Sequence, residues 1–242
     1  MGFKFFSDIL FPVTCPVCKD VVVPRGRRIC GECKAVLPYL NGPVCFSCGQ
    51  PVSKDTDEYC DSCAGRKRAF ERSVSVFSYT ALLQRMIGDF KFRSRRDYVH
   101  FFADELEICY KQFYLGCQIK ALVPVPIHPS RKRFRGYNQS ELLCRELSKR
   151  LDLPVYDCLK RQRKTAPQKG LSPEERRKNL FDAMSFEEPK EFVNADYKPE
   201  CVLIVDDIFT TGATSEACAD ILKMNGIERV YVLNIATGNK IN

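Results

Sequence analysis

The sequence predicts an α/β fold, a parallel sheet flanked by helices, preceded by a small cysteine-rich module. Three observations predict it. Val202, Leu203, Ile204 and Val205 form an unbroken apolar run, the pattern of a strand buried on both faces of a parallel sheet. Apolar runs of this kind alternate with segments of helical spacing, as crossover connections require. Finally, eight cysteines between Cys15 and Cys63 all fall in Cys-x-x-Cys pairs.

Composition bounds the answer. The chain has 242 residues, enough for one α/β domain and a small module, with 45% hydrophobic and 28% charged residues. No apolar run approaches the ~20 residues of a membrane span. The first residues, Met1 to Phe11, carry Asp8 inside a short apolar stretch and no Ala-x-Ala-like site, so they do not read as a secretory signal. A cytoplasmic location is the expectation. The formal charge of +8 is concentrated: residues 131–178 hold 15 Lys/Arg against 6 Asp/Glu, which leaves the rest near neutral. Each zinc held by four thiolates would lower the total by about two.

The expected boundaries are 1–68 for the cysteine module and 69–242 for the α/β domain. Within the module each cysteine of the first half recurs 30 positions later: Cys15 and Cys45, Cys18 and Cys48, Cys30 and Cys60, Cys33 and Cys63. This is an internal duplication of Cys-x2-Cys-x11-Cys-x2-Cys, close to a zinc-ribbon pattern. Two such turns can close a tetrahedral shell with no open position, so two structural Zn2+ sites are expected. With only His100 and His128 in the chain, the sites must be all-sulfur. A redox dithiol is the rival reading, and duplicated spacing argues against it. Sequential grouping, 15/18/30/33 and 45/48/60/63, is the expectation, and a cross-braced grouping is the alternative. Val21 to Val23 and Arg28-Ile29 suit short strands. Cys109, Cys117, Cys144, Cys158, Cys201 and Cys218 lie among apolar neighbours and read as core fillers.

Along the remaining chain, residues 64–72 read as a linker and residues 74–79 as a strand. Leu82, Leu83, Met86, Ile87 and Phe90 share one helical face. Lys91 to Arg96 reads as a solvated helix end, with nucleic-acid contact as the alternative. Asp97 suits the cap of a helix running to about Tyr114. Ala121 to Pro126 is a short strand ended by its prolines. The stretch from Ile127 to Gln139 reads as a loop carrying Arg131, Arg133, Arg135 and Gly136, which suits a pyrophosphate: arginine gives forked donors and glycine permits close approach. A basic surface loop is the alternative. Ser140 to Leu151 is a helix. Residues 160–181 are too polar in their first half to bury a core, and Ser172-Pro173 is a helix start. The segment reads as an active-site lid, with a disordered linker as the alternative.

Asp206 and Asp207 end the strand begun at Val202, where open sheets bind ligands. Thr210, Thr211, Gly212, Ala213 and Thr214 then form a turn into a helix. Backbone N–H groups at such a helix start bind phosphate, and paired carboxylates suit vicinal hydroxyls or a Mg2+ shell. An ordinary Thr-capped strand–turn–helix is the alternative. No Walker pattern occurs.

The stretch 202–214 resembles the phosphoribosyl pyrophosphate (PRPP) signature of type I phosphoribosyltransferases. The resemblance implies a phosphoribosyltransferase-like parallel sheet. It places the ribose on Asp206 and Asp207 and the ligand along Val205, Asp206, Asp207, Ile208, Phe209, Thr210, Thr211, Gly212, Ala213 and Thr214. Three motifs together, Pro124 to Gln139, the series Arg163, Thr165, Gln168, Leu171, Arg176 and Asn179, and 202–214, resemble the ComF family across essentially the whole chain. Members of that family begin with a double zinc-ribbon and are linked to DNA uptake in natural transformation.

Two functions follow as expectations. One is a PRPP-binding protein acting on incoming single-stranded DNA with DNA-uptake proteins. Its basic segment would grip phosphates, and Phe134 and Tyr137 would stack on bases. The alternative is an active phosphoribosyltransferase using Mg2+ with PRPP and an unidentified acceptor. There Arg131, Arg133 and Arg135 would take the pyrophosphate, and the catalytic set would be completed by Asp206 and Asp207.

Overall fold

The computed structural model describes residues 12–54, 56–163, 173–193 and 198–238. The elements in chain order are α1 (Gly31–Ala35), β1 (Arg72–Ser78), α2 (Ala81–Phe92), α3 (Tyr98–Phe113), β2 (Ala121–Pro124), α4 (Pro129–Arg135), α5 (Gln139–Leu151), β3 (Leu159–Arg161), α6 (Pro173–Phe181), β4 (Met184–Phe186), α7 (Lys190–Val193), β5 (Cys201–Phe209), α8 (Ala213–Met224) and β6 (Arg229–Thr237).

The main sheet has the order β1-β6-β5-β2, and every pair in it is parallel. The strand pattern at 202 is realised as expected. Leu203 and Val205 face one core with Leu83, Phe90, Phe102, Leu143 and Leu147, while Val202 and Ile204 face the other with Ala217, Cys218 and Leu222. A two-residue alternation thus buries both faces, which is why the run shows no polar break. Helices α2, α3 and α5 cover the first face; α8 and the antiparallel β3–β4 pair cover the second. Five of the six isolated cysteines are buried, and Cys117 is half-buried.

Three local features differ from expectation. The stretch from Ile127 to Gln139 is not one loop: it contains α4. His128 Nδ1 accepts from Ser130 N–H at 3.1 Å, Pro129 takes the first helical position, and Gly136 closes the end at φ 79°. Pro at the start and Gly past the end are helix signals, masked here by a seven-residue basic sequence with no apolar period. Asp97 precedes α3 but has helical dihedrals and makes no side-chain cap; its carboxylate is taken by Arg95. Residues 64–72 are not a free linker. Arg68 and Phe70 are buried, and Phe70 packs edge-on against Phe209 with centroids 6.2 Å apart. Of the segment 160–181 expected to be a lid, residues 164–172, Ser172 included, lie outside the described residues; its start belongs to β3 and its end is α6, which begins at Pro173.

The duplication in the cysteine module is visible in the backbone. Thr14 bridges Val21 and, 30 residues on, Val44 bridges Pro51. Cys15 N–H donates to Asp20 O, and Cys45 N–H to Gln50 O, each at 2.8 Å. The short strands expected at Val21 to Val23 and Arg28-Ile29 reduce to the single bridge at Val21, because the knuckle turns use the local backbone donors themselves. Among the described residues no helix is long and apolar enough to cross a membrane.

Candidate functional site

β5 lies between β6 and β2 in the sheet, and its carboxyl end is where an open parallel sheet presents a ligand crevice. Its floor is the stretch predicted from sequence. Val205 is core; Asp206 and Asp207 are buried; Ile208 is half-buried and Phe209 buried. Thr210 is exposed and Thr211 half-buried. Gly212 sits at φ 80° and ψ 0°, a left-handed conformation, and caps α8. A Cβ there would lie 2.7 Å from Phe209 Cζ, so only glycine fits without a shift. Thr211 Oγ1 accepts from Ala213 N–H at 3.4 Å, and Glu216 N–H bonds Gly212 O at 2.8 Å. The intervening amides of the first helical turn, with the dipole behind them, are the kind of donor set that suits an anion.

The two acids are held by elements far away in sequence. Asp206 Oδ1 accepts from Ser140 Oγ of α5 at 3.2 Å and from Asp207 N–H at 2.9 Å. Lys91, from the end of α2, meets Asp207 Oδ2 as an ion pair without hydrogen-bond alignment, its side chain 16% exposed. Burial pushes the Asp206 carboxyl up to about 6, against the pull of Lys91 and the Ser140 hydrogen bond. Burial likewise brings Lys91 down to about 8, helped by the nearby Arg135 and Arg131 and opposed by Asp206. The crevice therefore holds opposed charges in a low-dielectric site, the setting in which electrostatics on a bound ligand is strongest.

Helix α4 divides the three predicted arginines. Arg131 and Arg135 are one turn apart and both act on Lys91. Arg133 lies roughly 200° around the helix from Arg131 and is not brought to the same face. Arg135 is half-buried, donates to Gln139 Oε1 at 2.9 Å and lies over the Phe92 ring at 4.6 Å. Phe134 is exposed, but Tyr137 is buried: its hydroxyl donates to Phe90 O and Arg96 covers its ring. Tyr137 therefore cannot stack on a base.

Sequence reasoning missed Lys91 and Ser140. Lys91 had a signal: Leu83, Ile87 and Lys91 are spaced by four, so the lysine continues the buried stripe of α2. Ser140 had none; its partner lies 66 residues away.

The cysteines form two separate groups, 15/18/30/33 and 45/48/60/63, with the sulfurs of each group within 4.8 Å of one another. Grouping is sequential, not cross-braced. Cys18 to Cys30 is 3.8 Å and Cys48 to Cys60 is 3.6 Å. A tetrahedral ion with Zn–S near ~2.3 Å places its sulfurs ~3.8 Å apart, so the donor set fits zinc. Burial opposes the Cys15 thiolate, but the backbone N–H groups of Cys30, Cys18 and Val17 bring it down to about 7. Those of Cys48, Cys60 and Ser47 do the same for Cys45, also to about 7.

Comparison with known proteins agrees with this anatomy. Residues 6–64 match the double zinc ribbon domain. The chain is 29% identical over 230 residues to competence protein F of Haemophilus influenzae, covering 93% of this chain and 97% of that one. It is 31% identical over 227 residues to the DNA utilization protein YhgH of Salmonella typhimurium, at 91% and 95% coverage. It is 25% identical over 206 residues to competence protein ComFC of Bacillus subtilis, at 83% and 80%. Among solved structures, an adenine phosphoribosyltransferase overlays with a TM-score of 0.37 at 16% identity, covering 61% of this chain and 82% of that one. The protein is thus of a mixed class, a parallel α/β sheet flanked by helices and carrying a double zinc ribbon. The chain belongs to the ComF family.

Proposed function

We propose that this protein binds PRPP in the crevice at the end of β5 and acts in the handling of single-stranded DNA during natural transformation. One observation carries the first half of the reading: buried Asp206 and Asp207 lead directly into a turn whose left-handed Gly212 opens the N-terminus of α8. The amides of that turn suit the 5-phosphate and the acids suit the ribose hydroxyls. Asp206 would offer an oxygen to a Mg2+ that travels with PRPP, and the ion would supply charge neutralisation at the pyrophosphate. Arg131 and Arg135 present cations to the same crevice, while Arg133 serves α4's outer face. The DNA-handling half rests on the relatives, two named for competence and one for DNA utilization.

Titration calorimetry with Mg2+–PRPP tests the binding half. Saturable binding that disappears in Asp206→Ala supports it; absence of heat at millimolar PRPP overturns it. A pyrophosphate-release assay with bases, amines and single-stranded DNA as acceptors then separates a binding protein from a transferase.

A further inference from the structure

The two cysteine half-modules share a backbone but not a neighbour. Lys19 at φ 74° and Gly49 at φ 70° hold the same place in the two knuckle turns. In the first copy Lys19 reaches back to α2 and α3, meeting Asp89 and Tyr98. In the second copy Gln50 reaches the phosphate turn: its Nε2 donates to Thr210 O and to Gly238 O, each at 2.9 Å. Gly49 makes the approach possible, since a Cβ there would lie 2.4 Å from the Ser73 carbonyl oxygen of β1. The second ribbon is seated on the turn, not tethered beside it.

Arg68 makes the closer connection. Its side chain is 3% exposed. Nε and Nη2 each donate to Cys63 Sγ at 3.3 Å. Nη1 donates to Glu216 Oε1 of α8 at 3.1 Å and to Thr211 O at 3.4 Å. One rigid guanidinium therefore touches a sulfur of the second four-cysteine site, a carbonyl of the turn and a buried acid one helical turn further on. Nη1 also lies 3.2 Å from where a Gly212 Cβ would stand.

We propose that Arg68 is a positioning residue that couples the second four-cysteine site to the 210–214 turn, so that metal in that site and a phosphate-bearing ligand on the turn stabilise one another. The ligand half of this inference rests on the PRPP reading above. A metal-bound Cys63 is a fixed, anionic acceptor; it orients the planar fork, and the fork orients the Thr211 carbonyl and hence the amides that follow. Coupling between two sites is reciprocal, so a ligand that orders the turn must also retain the metal. The first site, which faces α2 and α3, takes no part.

The test uses the full-length zinc-loaded protein and its Arg68→Met and Arg68→Lys variants. Three quantities are read: hydrogen exchange at the amides of residues 211–214 without ligand, zinc release to a chromophoric chelator with and without Mg2+–PRPP, and PRPP affinity by calorimetry. In the wild type, PRPP should slow release of one zinc about tenfold and leave the other unchanged, the scale of one charge-assisted hydrogen bond. Arg68→Met should keep both metals, exchange its 211–214 amides about tenfold faster than wild type, and lose the PRPP effect on release. Arg68→Lys should behave like Arg68→Met, because one compact nitrogen cannot span acceptors that three separate guanidinium nitrogens reach. If Arg68→Met fails to fold, the same readings on Arg68→Lys decide. Unchanged exchange at 211–214 in the variants overturns the positioning role. A wild type that binds PRPP while both zinc ions leave at unaltered rates overturns the coupling. A wild type that binds no PRPP overturns the ligand reading alone, and the exchange measurement still decides what Arg68 does to the turn.

Discussion

Lys91 and Asp207 meet as an ion pair inside the crevice, 116 residues apart in sequence, with side chains 16% and 7% exposed. The pair is the centre of the site's electrostatics. Asp206 beside it is raised to about 6 by burial, and Lys91 is lowered to about 8 by the same cause. A buried cation and two buried acids cannot all be comfortable, and such stored tension is typical of a site waiting for a charged ligand.

The first prediction concerns that tension. Lys91 is the largest influence holding the Asp206 carboxyl down against burial. In Lys91→Met, the Asp206 carboxyl should titrate higher than in the wild type, where it lies at about 6. Carbon-13 NMR of the labelled carboxyl reads this directly. An unchanged or lower midpoint would mean that the ammonium does not act on Asp206.

The second follows from the sign of the Asp206 shift. A carboxyl whose pKa is higher folded than unfolded makes no difference below about 4, where both states are protonated. As pH rises from about 4, the unfolded chain ionises first and stability falls; the loss is complete above about 6, the folded value. Asp206→Asn removes the penalty and keeps an acceptor for Ser140, while Asp207 still faces Lys91. The variant should be more stable than wild type by ~3 kcal/mol at pH 7, and the gain should fade as pH falls from about 6 to about 4. Urea denaturation across that range measures it. A gain that grows on acidification would contradict the burial argument. PRPP binding should be lost in the same variant, stability being gained where function is given up.

The third tests Gly212. In Gly212→Ala the new Cβ meets Phe209 Cζ at 2.7 Å and the residue must hold φ 80°. Together these cost ~1–3 kcal/mol if the turn keeps its shape. Relaxation of the turn should weaken PRPP more than tenfold, about 1.4 kcal/mol, while far-UV circular dichroism stays native. Undiminished affinity would make the turn no more than a helix cap.

These sites differ in how far the sequence announced them. The burial of β5 and the two metal groups were legible because each is a local pattern, a run of apolar residues and a repeat at fixed spacing. Helix α4 was hidden because Arg131, Lys132, Arg133 and Arg135 leave no apolar period, although Pro129 and Gly136 marked its ends. Arg68 lay in a basic stretch that looked like a linker. Its burial depends on Glu216, 148 residues on, and on Cys63 Sγ, and no periodicity encodes a partner at that distance. Tyr137 failed in the opposite sense: an aromatic among arginines looked like a stacking residue, yet its ring fills the gap between Phe90 and Arg96.

The metal content gives a fourth prediction. Protein purified without chelators should contain two zinc ions per chain, by elemental analysis, from the two four-cysteine groups. So small a module has little core beyond its metal sites, so stripping the metal should unfold it while the main sheet keeps its far-UV signal. Metal near zero with a folded module would remove zinc from the account.

The last prediction uses the geometry of α4 to divide the two uses of the basic segment. Arg131 and Arg135 share one side of α4 and both lower the pKa of Lys91 on α2, whereas Arg133 lies on the other side of the helix. If the crevice takes pyrophosphate, Arg131→Ala and Arg135→Ala should each weaken Mg2+–PRPP by ~1.5–3 kcal/mol, the range for a charge-assisted hydrogen bond. Arg133→Ala should then leave PRPP affinity unchanged. If single-stranded DNA runs over the outer face of α4, the order reverses. Arg133→Ala should flatten the salt slope of DNA binding by ~0.7, the share of one neutralised phosphate. Phe134→Ala should weaken binding by ~1–3 kcal/mol at every salt concentration, because its ring is exposed and can stack. PRPP affinity by calorimetry and DNA affinity by anisotropy, each at two salt concentrations, separate these cases variant by variant. PRPP and DNA binding at once is compatible with this geometry, since the two faces are distinct; competition between the ligands is not, and its observation would mean that DNA enters the crevice itself. Equal weakening of PRPP in all three arginine variants would show that general charge, and not the face of the helix, sets the affinity.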